Sequence, residues 1–152
     1  MTIGMNSIGP EFLEVSTRPF FRLGTTLKGA GDAEWMYVRA NGAITGAGYV
    51  VVINPVDATN PYDATMIDNT VGLRGLPVGV APVAFTDNQY GWVQVKGTCQ
   101  IRTAIASANV EMATTTTAGE LDDAAGVGTK EILGLVLTTA RAGSAGLTTG
   151  YL

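Results

Sequence analysis

Short apolar stretches, separated by glycine, proline and polar turns, run through most of the chain. The stretch Glu34–Arg39 alternates in polarity and size, with Trp35 and Tyr37 on the same face. A second alternating stretch, Tyr90–Gly97, also places its aromatic residues on one face. A period of two is the spacing of side chains on a β-strand, so both stretches predict strands.

Other stretches predict further strands, because they are short and contain many residues that favour a pleated surface. They are Phe20–Leu27, Gly48–Ile53, Thr98–Ile105 and Ile132–Arg141. Gly48–Ile53 and Ile132–Arg141 are apolar on both faces, which is typical of a central strand. We expect Thr98–Ile105 to return as the hairpin partner of Tyr90–Gly97.

The segments between these strands predict turns and loops. Asn41-Gly42 indicates a tight turn, since both residues accept positive φ. We expect polar loops at Asn54–Asn69 and Gly119–Lys130, and bent or edge strands in Val71–Phe85. The stretch Ala104–Ala118 has no clear period and allows at most a short helix.

The whole chain divides into three predicted regions. Residues 1–19 form an extended, irregular arm, because glycine and proline interrupt any regular structure. Residues 20–142 form a β-rich domain, and residues 143–152 form a C-terminal tail. No internal repeat is visible in the sequence. The predicted fold class is mainly β: a single compact β-barrel or β-sandwich domain with an irregular N-terminal arm, its strand order left open.

The composition suggests that much of the surface is covered by other chains. Hydrophobic residues make up 46% of the 152 residues. Charged residues make up only 14%, against roughly a quarter in a typical domain. Because soluble monomers rarely expose large apolar patches, we expect a homo-oligomer or a larger assembly.

The charge pattern argues against two classes of partner. The net charge is −4, and the 9 basic residues are spread singly along the chain. Nucleic acids and anionic membranes both require a concentrated basic face, so we expect neither as a direct partner. No apolar run approaches the roughly 20 residues of a membrane helix. Met1 to Pro10 lacks the basic and apolar regions of a signal peptide.

The inventory of reactive side chains is poor. The chain contains no histidine, which is the commonest general base near neutral pH and the usual partner of a nucleophilic serine or cysteine. The single cysteine, Cys99, excludes an intrachain disulfide and a multi-cysteine zinc site, and we expect it to fill space in a strand. The sequence therefore predicts a non-enzymatic protein without a cofactor.

Oxygen ligands are densest between residues 54 and 68, where Asp57, Asp63 and Asp68 lie near two asparagines. Calcium takes about 6–8 such oxygens from flexible loops, but the spacing matches no EF-hand. Aspartate and asparagine are also frequent in loops because their side chains cap turns. Turn chemistry is the favoured interpretation and no metal site is predicted, although ion binding by this loop stays open.

The run Tyr90-Gly91-Trp92-Val93-Gln94-Val95-Lys96-Gly97 resembles the motif of small decoration, or cement, proteins of tailed-bacteriophage capsids. The context is similar: an irregular N-terminus, an apolar strand at Gly48–Val52, an Ala/Thr-rich middle, and a closing strand that begins Glu131-Ile132-Leu133-Gly134. The likeness spans residues 44–140 and includes no catalytic signature. Residues 1–43 match no part of the family pattern.

The resemblance implies a structural virion protein that binds the outside of a capsid after the shell has formed. Such proteins sit as homotrimers at three-fold and quasi-three-fold positions, contact the major capsid protein, and stabilise the shell against the pressure of packaged DNA. The implied location is the capsid exterior, with assembly in the host cytoplasm.

On this interpretation, apolar residues of the arm and aromatic residues of the motif form the interface, because aromatic side chains are enriched at binding hot spots. They are Ile3, Met5, Ile8, Phe12, Leu13, Phe20, Phe21, Tyr90 and Trp92. Ordinary core packing is the competing interpretation of Tyr90 and Trp92. Two other functions stay open: a tail or neck subunit of a phage, and a carbohydrate- or ion-binding β module.

Overall fold

A computed structural model of the chain describes residues 11–70, 75–104, 106, 111–123 and 128–152. Within these residues the protein is all β, which confirms the predicted class. The first six strands are β1 (Thr26–Lys28), β2 (Glu34–Ala40), β3 (Val50–Asn54), β4 (Asp63–Met66), β5 (Val78–Val80) and β6 (Tyr90–Lys96). The next five are β7 (Thr98–Thr103), β8 (Glu111–Thr114), β9 (Leu121–Asp122), β10 (Glu131–Leu137) and β11 (Gly146–Tyr151).

Strands β1 to β6 form one sheet, here called the N-terminal sheet, in the order β1-β2-β4-β3-β5-β6. Strand β6 also pairs with β2, so five of its strands close into a ring. Strand β1 pairs with the first half of β2, on the edge that β4 leaves free. Strands β7 to β11 form a second closed barrel, the C-terminal barrel, in the order β10-β11-β7-β9-β8. The barrel alternative is thus confirmed.

The two rings have the same topology. In each, the first strand pairs in parallel with the third, as β2 does with β4 and β7 with β9. The third then pairs with the second, the second with the fourth, the fourth with the fifth and the fifth with the first, all antiparallel. Each ring also has one isolated bridge at the same place in this scheme, Ile44 with Phe85 and Ala106 with Arg141. The chain therefore contains a structural repeat that its sequence does not reveal.

Each ring encloses an apolar core, and the second core extends into the contact between the rings. The N-terminal core includes Val38, Val51, Ile53, Phe85 and Val93. The C-terminal core includes Ile101, Met112, Leu121, Leu135 and Leu137, and three residues of the first ring pack into it: Val50, Ile67 and Val80. In β3, Val50 packs into the second core while Val51 and Ile53 pack into the first, which explains why this strand is apolar on both faces.

Backbone hydrogen bonds join the rings beside this apolar contact. Val50 N donates to Gly119 O at 2.9 Å, and Gly119 N donates to Ile67 O at 2.7 Å. Arg102 N donates to Gly48 O at 2.8 Å. The guanidinium of Arg102 also lies 5.2 Å from the ring centre of Tyr49, at a distance suited to a cation–π contact.

One predicted strand begins too early, and three strands lie in segments that were predicted as loops or as a tail. Residues 20–25 are turns and bends, and the first strand begins only at Thr26. The polar loop Asn54–Asn69 contains β4, the Gly-rich loop Gly119–Lys130 contains β9, and the C-terminal tail 143–152 contains β11. Strand β11 pairs with β7 over six residues, so the supposed tail is part of the barrel wall.

The predicted hairpin between Tyr90–Gly97 and Thr98–Ile105 is also wrong, because β6 belongs to the first ring and β7 to the second. Gly97 lies between them with φ +91, and its N donates to Leu152 O. Strand β5 falls in the stretch predicted as bent or edge strands. It is not an edge strand, because it pairs with β3 on one side and with β6 on the other. The possible helix in Ala104–Ala118 is replaced, at residues 111–114, by β8. The tight turn predicted at Asn41-Gly42 is a bend in the structure, and of the two residues only Gly42 has a positive φ.

Candidate assembly interface

The outer face of β2 and β6 is lined by aromatic residues. Val38 and Val93 point into the N-terminal core, so the alternate residues Trp35, Tyr37 and Trp92 point outward. Tyr37 lies directly opposite Trp92 in the antiparallel register, and their ring centres are 5.1 Å apart. Most sheets of this kind expose their outer face to water, but here the rings are covered by the chain itself.

The covering segment consists of residues 11–24, which we call the N-terminal cap. Its backbone is fixed to the sheet at two places. Ser16 and Tyr90 exchange two hydrogen bonds, of 2.9 and 2.7 Å. Further along, Gly24 N donates to Tyr37 O at 2.8 Å, and Phe20 N donates to the Tyr37 hydroxyl at 3.1 Å.

Two phenylalanines of the cap complete an aromatic cluster made of Phe12, Phe21, Trp35, Tyr37 and Trp92. The ring of Phe12 stacks on Trp35 at 4.6 Å, with 14° between their planes, and meets Trp92 edge-on at 5.6 Å. The ring of Phe21 lies 5.3 Å from Tyr37 and 5.2 Å from Trp92. Offset and edge-on pairs of this kind contribute about 0.5–1.5 kcal/mol each beyond area burial, so the cluster holds the cap on the sheet.

Burial changes the ionisation of the cluster's one phenol. Removal of the Tyr37 hydroxyl from water raises its pKa above the ordinary value, because the phenolate would lose its hydration. The hydrogen bond from Phe20 N acts in the opposite direction but is the smaller effect. Tyr37 is therefore neutral over the physiological range and can accept the bond that fixes the cap.

The cap leaves apolar side chains in contact with water. Phe20 is 63% exposed and Leu13 is 59% exposed, and part of the Phe21 ring is exposed beside them. Their backbone positions are fixed by the neighbouring anchors Phe12 and Tyr37. An apolar surface held on a fixed backbone loses little conformational entropy on binding, which suits it to contact with another protein.

The structure divides the predicted interface residues into four groups. Ile3, Met5 and Ile8 lie outside the described residues. Leu13 and Phe20 are on the surface of the cap, whereas Phe12 and Phe21 anchor it. Trp92 is only 2% exposed, and Tyr90 is half-buried under Ser16. Core-like packing thus describes Trp92 in this chain, and it can meet a partner only if the cap is displaced.

Other residues of the motif Tyr90–Gly97 also have structural roles. A Cβ on Gly91 would lie 2.7 Å from the ring of the core residue Phe85, so this position has no room for a side chain. The amide of Gln94 donates to Lys96 O and Thr98 O, both at 2.9 Å, and so fixes the passage from β6 to β7. The motif accordingly builds the wall of the first ring and directs the chain into the second.

The aspartate carboxylates between residues 54 and 68 already have hydrogen-bond partners within the chain. Asp57 accepts hydrogen bonds from Asn60 N at 2.7 Å and Thr59 N at 2.8 Å, and these bonds lower its pKa. Asp63 is buried against Arg39, with two N–O distances of 2.8 and 2.6 Å. Asp68 accepts from Thr70 N at 2.7 Å. In the described part of the chain, no three or more Asp, Glu, Cys or His side chains form a group that could hold a metal ion.

Sequence reasoning missed a further exposed apolar residue, Leu133 of β10, which is 77% exposed. It lies in a bulge, because the pairing of β10 with β8 shifts between Ile132 and Val136, and Gly134 adopts φ +83. A bulge turns a side chain out of the regular alternation. The available signal was the apolar run on both faces of the predicted strand Ile132–Arg141.

The single thiol is not a reactive site. Cys99 is buried in the C-terminal core, and burial raises its pKa to about 12, so the thiolate is scarce at neutral pH.

No model of a known protein family matches this chain, and no curated protein matches it significantly. No membrane-spanning helix is found among the described residues.

Proposed function

We propose that this chain is a structural virion protein that binds the outer surface of an assembled phage capsid. It acts without catalysis, as a homotrimer that contacts the major capsid protein at three-fold and quasi-three-fold positions. The proposed position on the capsid and the trimeric state are inferred from the resemblance of Tyr90–Gly97 to capsid decoration proteins. The observation that carries the proposal is the N-terminal cap, which is fixed to the sheet by Phe12 and presents Leu13 and Phe20 to a partner.

The mode of action is linkage between binding and shell assembly. A protein that binds only the assembled shell shifts the equilibrium towards that shell. At a free concentration of 100 times Kd, each bound unit stabilises the shell by about 2.7 kcal/mol. Packaged DNA pushes outward, and many such units acting together resist it. The low content of charged residues fits a protein whose surface is used for contact.

Co-sedimentation tests the proposal. The full chain is mixed with purified, expanded, DNA-free shells of the phage that encodes it, and separately with shells that have not expanded. We expect saturable binding to expanded shells and a rise in the temperature at which they dissociate. A full chain that stays in the supernatant with expanded shells would exclude the proposed function.

A truncation tests where the chain contacts the shell, and a point variant serves as its control. A variant that lacks residues 1–10 removes Ile3, Met5 and Ile8 but keeps the cap, and we expect it to bind shells at least tenfold more weakly. Val56→Asp is the control, because Val56 is 77% exposed in a loop far in sequence from the cap. Equal affinity of the truncated and full chains would remove the predicted role of the first ten residues.

A further inference from the structure

The bend that follows β2 contains the chain's single Asn-Gly dipeptide, Asn41-Gly42. An asparagine before glycine is the most labile asparagine in proteins, because glycine has no Cβ to shield its backbone nitrogen from the preceding side chain. Both residues are exposed to water. A Cβ on Gly42 would meet no described residue within 4 Å, its chain neighbours apart. The Asn41 side chain and the Gly42 backbone therefore have room to react.

The reaction is deamidation through a cyclic imide. The backbone nitrogen of Gly42 loses its proton and attacks Cγ of Asn41, so that a bond forms between this nitrogen and Cγ. The bond from Cγ to Nδ2 breaks, and the side-chain amide leaves as ammonia after taking up a proton. Water then opens the imide at one of its two carbonyl groups and yields aspartate or isoaspartate. The only co-reactant is water.

The structure places an acceptor at the attacking nitrogen. Gly42 N donates a hydrogen bond of 2.8 Å to Oδ1 of Asp87, which lies 45 positions away in the chain. The carboxylate is itself held in place, because its second oxygen accepts a bond of 2.9 Å from the side chain of Asn88. Asn88 N in turn donates to Ala40 O at 3.0 Å, next to the bend. The nucleophile of the reaction is thus bonded to a positioned carboxylate.

Asp87 opposes the reaction in two ways. A hydrogen bond to an ionised acceptor is stronger than one between neutral groups, so the proton that must leave Gly42 N is held more firmly. The negative charge of the carboxylate also disfavours the anionic nitrogen that performs the attack. A carboxylate is far too weak a base to remove a proton from a backbone amide, so this contact does not promote the attack.

We propose that Asn41 is the site at which this chain deamidates spontaneously, and that Asp87 is the residue that slows the reaction. The inference goes beyond the proposed binding to a shell and does not depend on it. Isoaspartate would insert an extra methylene group into the main chain beside the 2.9 Å bond from Asn41 N to Ala64 O. Either product also adds a negative charge near Asp87, and like charges repel.

Peptide mapping by mass spectrometry tests the proposal. The folded full chain and its Asp87→Ala variant are incubated at mildly alkaline pH, and the loss of the Asn41 amide is followed over time. We expect the variant to deamidate about tenfold faster, the order expected when a hydrogen bond to a charged group is lost. An isoaspartyl methyltransferase should label the same peptide. An equal or slower rate in Asp87→Ala would overturn the protective role of Asp87.

Asn88 provides an internal reference in the same samples. It also lies in an exposed turn, with φ +63, but the residue after it is Gln89, whose side chain shields the backbone nitrogen. We expect Asn88 to keep its amide while Asn41 loses it. Loss of both amides at one rate would overturn the assignment of Asn41 as the labile site.

A comparison in concentrated urea keeps the test decisive if Asp87→Ala does not fold. Unfolding breaks the bond between Gly42 and Asp87, so we expect Asn41 of the wild type to deamidate faster in urea than in the folded protein. In urea, the wild type and Asp87→Ala should react at the same rate. A wild type that deamidates as fast when folded as in urea would refute the protection.

Discussion

Phe12→Ala tests whether the N-terminal cap is fixed by aromatic packing. Phe12 is the cap residue that stacks on Trp35 and also meets the edge of Trp92. The substitution removes both ring contacts but leaves the hydrogen bonds between Ser16 and Tyr90 in place. It therefore separates the contribution of the rings from that of the backbone.

The size of the effect follows from burial. Complete burial of a phenylalanine makes its replacement by alanine cost about 3–5 kcal/mol. Phe12 is half-buried, so we expect roughly half of that, about 2 kcal/mol. This estimate includes the ring pairs with Trp35 and Trp92, which contribute about 0.5–1.5 kcal/mol each.

Tryptophan fluorescence is a direct assay, because the chain has 2 tryptophans and both belong to the aromatic cluster. In urea, we expect the Phe12→Ala variant to unfold with a free energy about 2 kcal/mol lower than that of the wild type. Before unfolding, its emission should shift to the red, since water reaches Trp35 and Trp92 where Phe12 covered them.

Phe20→Ala is the matched control, since Phe20 is a phenylalanine of the same cap whose side chain is mostly in water. We expect it to change the free energy of unfolding by less than about 0.5 kcal/mol. Equal effects of the two substitutions, or a Phe12→Ala variant with wild-type emission and stability, would show that the rings do not hold the cap.

Three further measurements address other parts of the chain. Gly97→Ala should lower the free energy of unfolding in urea by about 2 kcal/mol or more, because Gly97 has φ +91 and a Cβ would lie 3.0 Å from the Ala33 backbone. Gly42→Ala, with φ +87 and open space, should lose only about 1 kcal/mol; equal losses would exclude the steric explanation. Tyr37 has a raised pKa, so its contribution is complete below the ordinary pKa of 10.0 and is lost as pH rises through the folded-state value. Tyr37→Phe should therefore be less stable at neutral pH but decline less steeply in stability above pH 10.0, and a parallel decline would contradict this. Cys99, with a pKa of about 12, should react with an aromatic disulfide reagent at mildly alkaline pH only as fast as the protein unfolds; rapid labelling would contradict its burial.

The sequence predicts a strand well where local pattern and final environment agree. Val50–Ile53 is apolar at every position and buried throughout, with Val50 in the second core and Val51 and Ile53 in the first. Strand β4 was missed because Asp63 looks like a loop residue. Its charge is matched by Arg39, which lies on a strand that is 24 residues away in the chain. Such long-range pairing cannot be read from local polarity.

The C-terminal strand was missed for a different reason. Gly146–Tyr151 contains two glycines and two threonines, and it has little apolar weight of its own. One of those glycines is required, because a Cβ on Gly150 would collide with Ile101 on the neighbouring strand β7. A small residue that makes room for a large one inside a closed barrel appears in the sequence as a weak strand.

The candidate interface was only partly predictable, because composition marks residues that avoid water but not what covers them. Phe12, Phe20, Phe21 and Trp92 were grouped together as apolar anchors. In the structure Phe12 and Phe21 cover Trp92, and only Phe20 remains mostly exposed. Leu133 was not singled out, since its exposure depends on a shift in register between β8 and β10 that no local pattern reveals.

The repeated topology allows the aromatic strands β2 and β6 to be compared with the equivalent strands of the second ring, β7 and β11. In the second ring, the outer face of β7 and β11 carries polar residues such as Gln100 and Arg102, and Leu147 is 42% exposed there. In the first ring, the equivalent face carries Trp92 and is covered by the cap. Without the cap, each copy would expose Trp35, Tyr37 and Trp92, a contiguous apolar surface of the kind that promotes aggregation. The cap replaces it with a smaller apolar surface, which includes the exposed side chains of Leu13 and Phe20.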